Sequence, residues 1–287
     1  MLRTLSTLPS FWQPSGRTFC LLLAWILLPV PCRAQTTQVG VDLRVELMSI
    51  VFRLAGNPEY SQARVPAYAQ AIEAHFASVR NHEAVRLARE LHQSNEISHD
   101  AVMSLAVNVE DAFSLKERVD FDSPGLALGR PWKVPETRRF LDAARRFVLD
   151  SRFRDFVRSQ QPLYDLTDAR LRDLVEKRAS LSWFDRFFGV TPGARFVIAP
   201  GLGNGGGSYG PRFVPEKGPV EIWAIPGVSD VDAEGLPRFD EQMLPTLVHE
   251  FCHSYVNPIV DRYATKLDRF GPRIYDPVRD AMNRQAS

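Results

Sequence analysis

The stretch Thr246-Leu247-Val248-His249-Glu250-Phe251-Cys252-His253-Ser254-Tyr255-Val256 decides how the rest of the chain is read. It contains an H-E-x-x-H pentapeptide, His249 to His253. On an α-helix, residues four apart lie about 40° apart around the axis, so both imidazoles share a face and can share one metal ion. Neutral imidazoles are good Zn2+ ligands, and the carboxylate beside the first can serve as general base toward a water at the ion. The spacing therefore nominates His249 and His253 as metal ligands, Zn2+ as cofactor and Glu250 as the catalytic base. Apart from Glu250 the stretch carries no charge, which predicts a helix buried on most sides. A lone carboxylate in such a helix needs a cation or a donor to offset its desolvation, and a metal with its water meets that need. Cys252 lies about 100° around the helix from His253, so it is expected in the core and not on the metal.

Downstream, Asn257-Pro258 predicts the end of this helix, because the residue before a proline avoids helical conformation. Upstream, Arg195–Ala199 and Val220–Ile225 are short β-branched or aromatic runs bounded by proline and glycine, and they predict strands. Between them, Gly201-Leu202-Gly203-Asn204-Gly205-Gly206-Gly207 matches G-x-G-x-x-G literally. No helix-forming run follows it, and no Lys-Ser/Thr pair makes it a P-loop, so nucleotide binding is set aside for a mobile hairpin or cleft-edge loop.

From Val41 to about Phe188 the apolar spacing is helical. Helices are predicted over 41–54, 65–79, 81–94, 98–116, 135–149, 151–160 and 167–179, with Ser98 as an N-cap. The fold class is α+β and predominantly helical. Its domains are a helical N-terminal region over 35–190 and a metal-binding region over 191–287. The remaining histidines, His75, His82, His92 and His99, have no carboxylate at ligand spacing and are expected to pack or to face solvent.

The amino terminus sets the compartment. Arg3 and Arg17 precede the apolar run Phe19–Val30, which is short for a bilayer span, and Cys32-Arg33-Ala34 offers small residues for cleavage. Residues 1–34 are expected to be a signal peptide and the protein to be exported, periplasmic or secreted, with an uncleaved anchor as the alternative. Cleavage removes Cys20 and Cys32, so the exported chain keeps one of its three cysteines, Cys252, and relies on its core instead of disulfides. It also removes three of the 35 basic residues and none of the 34 acids, leaving 32 against 34, a net charge of −2. That balance gives no reason to expect nucleic acid as a partner, and no later segment is apolar enough for stable membrane insertion.

Thr246–Tyr255 resembles the extended signature of zincin metallopeptidases. More narrowly, Val248-His249-Glu250-Phe251-Cys252-His253-Ser254-Tyr255-Val256-Asn257-Pro258 is similar to a family of exported bacterial proteins classed as a domain of unknown function, as are Val41–Val109 with Val45-Glu46-Leu47 and Ile97–Ala106. The resemblance implies a zincin-like metal domain, a small sheet over the active-site helix, walled by the N-terminal helical layer. It also implies an edge strand that pairs with extended substrate, and hydrolysis of a peptide or protein by a zinc-bound water. Tyr209 or Tyr263 could stabilise the oxyanion. The third metal ligand stays open. A histidine six places after His253 would be metzincin-like, but Ile259 stands there, and no glutamate follows Glu250 for a gluzincin set. Asp261 and Asp280 are candidates, as is a residue beyond Ser287, the expectation being a C-terminally incomplete metal region. Two rival readings are a catalytically impaired metal-binding pseudoenzyme and a helical interaction module in which the pentapeptide is incidental.

Overall fold

The computed structural model describes residues 37–123, 128, 131–189 and 194–286; the expected signal segment and Ser287 lie outside them. At the centre of the helical layer is α1 (Leu43–Ala55), buried at every residue from Val45 to Phe52. Asp42 caps its start by accepting from Arg44 N at 2.9 Å, and Gly56, at φ 91°, ends it in the left-handed conformation that glycine tolerates. Helices α2 (Pro58–Ser61) and α3 (Pro66–His75) follow. Helices α4 (Glu83–Asn95) and α5 (His99–Val107) pack on α1, and α6 (Val134–Asp150) on α4. Phe140, Leu141, Ala144, Phe147 and Val148 of α6 recur at helical spacing and face this core.

Two helix expectations change. The run predicted over 98–116 stops at Val107, where the chain turns and Val109 bridges to Glu117. The two helices predicted over 151–160 and 167–179 are one, α7 (Phe153–Arg178), with Pro162 inside it. A proline removes one intrahelical hydrogen bond, but burial of Phe153 and Phe156 before it and of Leu171 and Leu174 after it holds both halves in line.

Helix α8 (Ser182–Phe188) leads into the sheet. Strands β2 (Arg195–Ile198) and β4 (Glu221–Ala224) fall where the β-branched runs predict. β1 (Thr37–Val39) is too short to announce itself in sequence, and it pairs parallel to β2. β2 is parallel to β4, and β3 (Arg212–Phe213) is antiparallel to β4, giving the order β1-β2-β4-β3. A small ribbon, β5 (Asp230–Val231) with β6 (Pro237–Arg238), follows. The period of two sends Val197 and Trp223 into the helical core, and Phe196, Ile198, Ile222 and Ala224 to the other face.

That second face receives α9 (Leu244–Leu267), after which come α10 (Gly271–Tyr275) and α11 (Arg279–Ala286). Two expectations about α9 are overturned. It does not end at Asn257-Pro258 but continues two turns and more beyond. Pro258 has no N–H to give the carbonyl of Ser254, and Arg212 Nη1, carried in by β3, reaches that oxygen at 3.5 Å. Nor is the helix buried on most sides: within it only Leu247, Glu250, Phe251 and Ser254 are.

The glycine-rich segment is anchored against α1 and is not a free hairpin, while Gly206 at its end borders a polar cavity, as the cleft-edge alternative expects. Gly201 through Gly205 are buried. Leu202 N donates to Glu46 Oε1 at 2.8 Å, and Ser49 Oγ to Asn204 Oδ1 at 2.7 Å. A Cβ on Gly203 would sit 2.7 Å from Ser49 Cβ, so α1 and this turn touch as only glycine allows. Among the described residues no helix is long and apolar enough to cross a membrane.

Candidate metal centre

Met243, Leu247 and Phe251 pin the first turns of α9 onto Phe196, Ile198, Ile222 and Ala224, with the Phe251 and Phe196 rings edge to face at 4.8 Å. Seating that stripe fixes the neighbouring one, in which His249 is exposed, His253 half-buried and Glu250 buried. His249 Nε2 and His253 Nε2 come within 3.2 Å of each other, their rings perpendicular. Two nitrogens bound tetrahedrally at about 2.0–2.1 Å from one Zn2+ are about 3.3 Å apart, so the pair fits two positions of a zinc tetrahedron.

Glu250, between them in sequence, is buried. Burial pushes its carboxyl above the usual range, the two imidazoles pull it back, and the field of Asp100 adds to the rise. Asp100 sits on the first turn of α5, so the helical layer reaches the site electrostatically. Nothing in the sequence marks it, because the approach of α5 to α9 is purely tertiary.

The sheet edge crosses α9 at this point. Tyr209 and Ile225 exchange both backbone hydrogen bonds, at 3.1 and 2.8 Å, and Trp223 N donates to Pro211 O at 3.1 Å. By alternation Gly210 and Arg212 turn their backbone N–H and C=O away from β4, toward the free edge. A Cβ on Gly210 would lie 2.1 Å from the carbonyl oxygen of Glu250, so the strand rests on the helix through a glycine. Tyr209 is buried in the same segment, its hydroxyl meeting that of Tyr60, and burial pushes its phenol up to about 12. Tyr263, the other tyrosine named from sequence, is exposed far down α9. A polar cavity of about 520 Å3, lined by Gly206, Ser208, Ser229, Arg238 and Thr246 among others, opens one turn before His249 on the same helical face. A second, apolar cavity of about 390 Å3 lies between α8 and α9 at Leu244, Leu247, Val248 and Phe251, on another flank of the helix from the histidines.

Among the described residues no group of three His, Cys, Asp or Glu side chains is placed to hold one metal ion. Asp261 is exposed two turns past His253 on the same helix, Asp280 is exposed on α11, and neither joins the pair. Cys252 is half-buried against the apolar side of α9, and burial raises its thiol. The other histidines are structural or peripheral. His75 Nε2 meets Ser151 O at 2.9 Å, His82 Nδ1 accepts from Ala84 N at 3.1 Å, His92 Nδ1 meets Ile97 O at 3.2 Å, and His99 is exposed.

Residues 37–284 match the family model described as "Domain of unknown function (DUF4932)". No curated protein and no solved structure matches the chain.

Proposed function

The chain belongs to that family, the domain of unknown function DUF4932, and from the geometry of the site we propose that it is an exported zinc-dependent peptidase of zincin type. The observation that carries the reading is the convergence of His249 Nε2 and His253 Nε2 to 3.2 Å beside the buried carboxylate of Glu250. His249 and His253 would hold Zn2+, which when bound supplies Lewis acidity to a water and to a scissile carbonyl. Glu250 takes the proton of the attacking water on its carboxylate and returns it to the leaving amine.

The free edge at Gly210 and Arg212 suits an extended peptide, whose backbone would add to the sheet next to Glu250. Export rests on the amino-terminal pattern of residues 1–34. A metal-binding protein without turnover is the second reading, favoured by one observation: two imidazoles without a third ligand among the described residues.

The test is metal analysis of the purified chain followed by a peptidase assay beside Glu250→Gln. The expected result is bound zinc that His249→Ala loses, and hydrolysis that Glu250→Gln reduces at least about a hundredfold. Zinc without hydrolysis selects the second reading. No zinc in the wild type removes both and leaves an interaction module.

A further inference from the structure

One half-buried guanidinium in this chain has no counter-charge, and it lies one helical turn past Glu250. Arg212 makes no ion pair among the described residues. Every other half-buried arginine there is paired with a carboxylate, as Arg44 is with Asp42, Arg118 with Glu221 and Arg170 with Asp232. A partly desolvated charge without a partner is costly, and the fold avoids it at all those positions. Arg212 has five N–H donors, and among the described residues the only acceptor it meets is the Ser254 carbonyl, 3.5 Å from Nη1. Its Nε is buried without a partner, and so is Ser254 Oγ, on a residue only 6% exposed.

The strand turns that side chain toward the site. Alternation sends Tyr209 and Phe213 into the helical core and faces Gly210 and Arg212 to α9. Gly210 meets Glu250 O and Arg212 meets Ser254 O, so strand and helix run side by side for one turn. Four helical residues rise about 6 Å, and an extended peptide rises about 3.3 Å per residue. Consider a peptide parallel to β3 on its free edge, with its scissile carbonyl level with Glu250. It reaches the level of Ser254 about two residues later. The charge that an unmodified peptide backbone can present to Arg212 is its terminal carboxylate, whose two oxygens match the guanidinium fork.

We infer that Arg212 receives the C-terminal carboxylate of the substrate, so that the centre works from the carboxyl end of peptides. This deepens the peptidase reading, and the position of the cut rests on it. Water adds across a peptide bond near the terminus, leaving a shortened peptide acid and a released amino acid or dipeptide. Arg212 touches the substrate and takes no part in the proton transfers, so its charge decides which peptides bind.

Calorimetric titration of the Glu250→Gln protein with tetra-alanine tests it, once as the free acid and once as the C-terminal amide. The acid should bind on the order of thirtyfold more tightly, the difference a charge-assisted bidentate contact makes. Adding Arg212→Gln, which keeps a donor for the Ser254 carbonyl but no charge, should remove that preference with an unchanged far-UV circular dichroism spectrum. Arg212→Lys should keep part of it. In turnover by the protein with Glu250 intact, mass spectrometry should find fragments shortened from the carboxyl end, and Arg212→Gln should act on KM more than on kcat. Equal binding of acid and amide, or a preference that survives Arg212→Gln, overturns the inference. Equal cleavage of both peptides also overturns it and leaves the peptidase reading standing. A chain that hydrolyses neither peptide, yet binds the acid through Arg212, supports the carboxylate site and removes the peptidase reading alone.

Discussion

Replacing Glu46 by glutamine isolates a buried carboxyl that ties α1 to the glycine-rich turn. Glu46 is inaccessible to solvent; its Oε2 accepts from the Tyr68 hydroxyl at 2.6 Å and its Oε1 from Leu202 N at 2.8 Å. Tyr68 Oη in turn meets Tyr164 Oη at 2.9 Å. Burial disfavours the carboxylate more than these donors favour it, so the carboxyl is pushed up from 4.5 to about 7. Between those values the folded chain holds a proton that the unfolded chain has released. Its stabilising contribution is therefore complete below pH 4.5 and is lost as pH rises through 7. A displacement of that size corresponds to about 3 kcal/mol. Glutamine keeps an acceptor for Leu202 N and is neutral at every pH, and the other titrating groups are common to both proteins, so the difference between them reports Glu46. Urea unfolding of wild type and Glu46→Gln from pH 4.5 to 8 is the assay. The wild type should lose about 3 kcal/mol relative to the variant across this window, with no further change above it. Parallel curves, or a wild type that gains on the variant as pH rises, would refute the reasoning.

Gly210→Ala places a Cβ 2.1 Å from Glu250 O, so the edge strand and α9 must part; a loss of about 1–3 kcal/mol is expected in thermal unfolding, and an unchanged midpoint would deny the close approach. Pro258→Ala returns an N–H to the carbonyl of Ser254. Arg212→Met should then cost about 0.5–1 kcal/mol in the Pro258 protein and close to nothing in the Pro258→Ala background, a coupling that a double-mutant cycle measures. Tyr209→Phe removes a buried hydroxyl that meets that of Tyr60, so stability should fall by about 0.5–1.5 kcal/mol in denaturant titration, and an unchanged midpoint would deny the contact.

Local signals predicted well wherever local physics dominates. Val41 to Leu54 carry helical spacing and form α1, and the β-branched runs around Val197 and Ile222 form strands. Where they failed, a distant partner had replaced what the local rule assumes missing. The rule that ends a helix before Pro258 counts on an unsatisfied carbonyl at Ser254, and Arg212 reaches it from a different strand. The glycine run around Gly203 lacks side chains of its own to pack, but Glu46 and Ser49, more than 150 residues earlier, supply the hydrogen bonds. The absence of charge around the pentapeptide suggested burial. It reflects instead one face against the sheet, with Val248 and Val256 exposed on the other flanks.

For the site, spacing alone determined that His249 and His253 share a helical face with Glu250 next to them, because 3.6 residues per turn leaves no other arrangement for H-E-x-x-H on a helix. Only the tertiary structure decided that Glu250 is the buried member, that a glycine lets a free strand edge rest on it, and that Asp100 and Tyr209 lie within electrostatic reach of it. Helix geometry is set by neighbours within one turn and is written in the sequence directly. Burial, field and edge exposure are set by which distant segments meet, and no spacing along the chain encodes that.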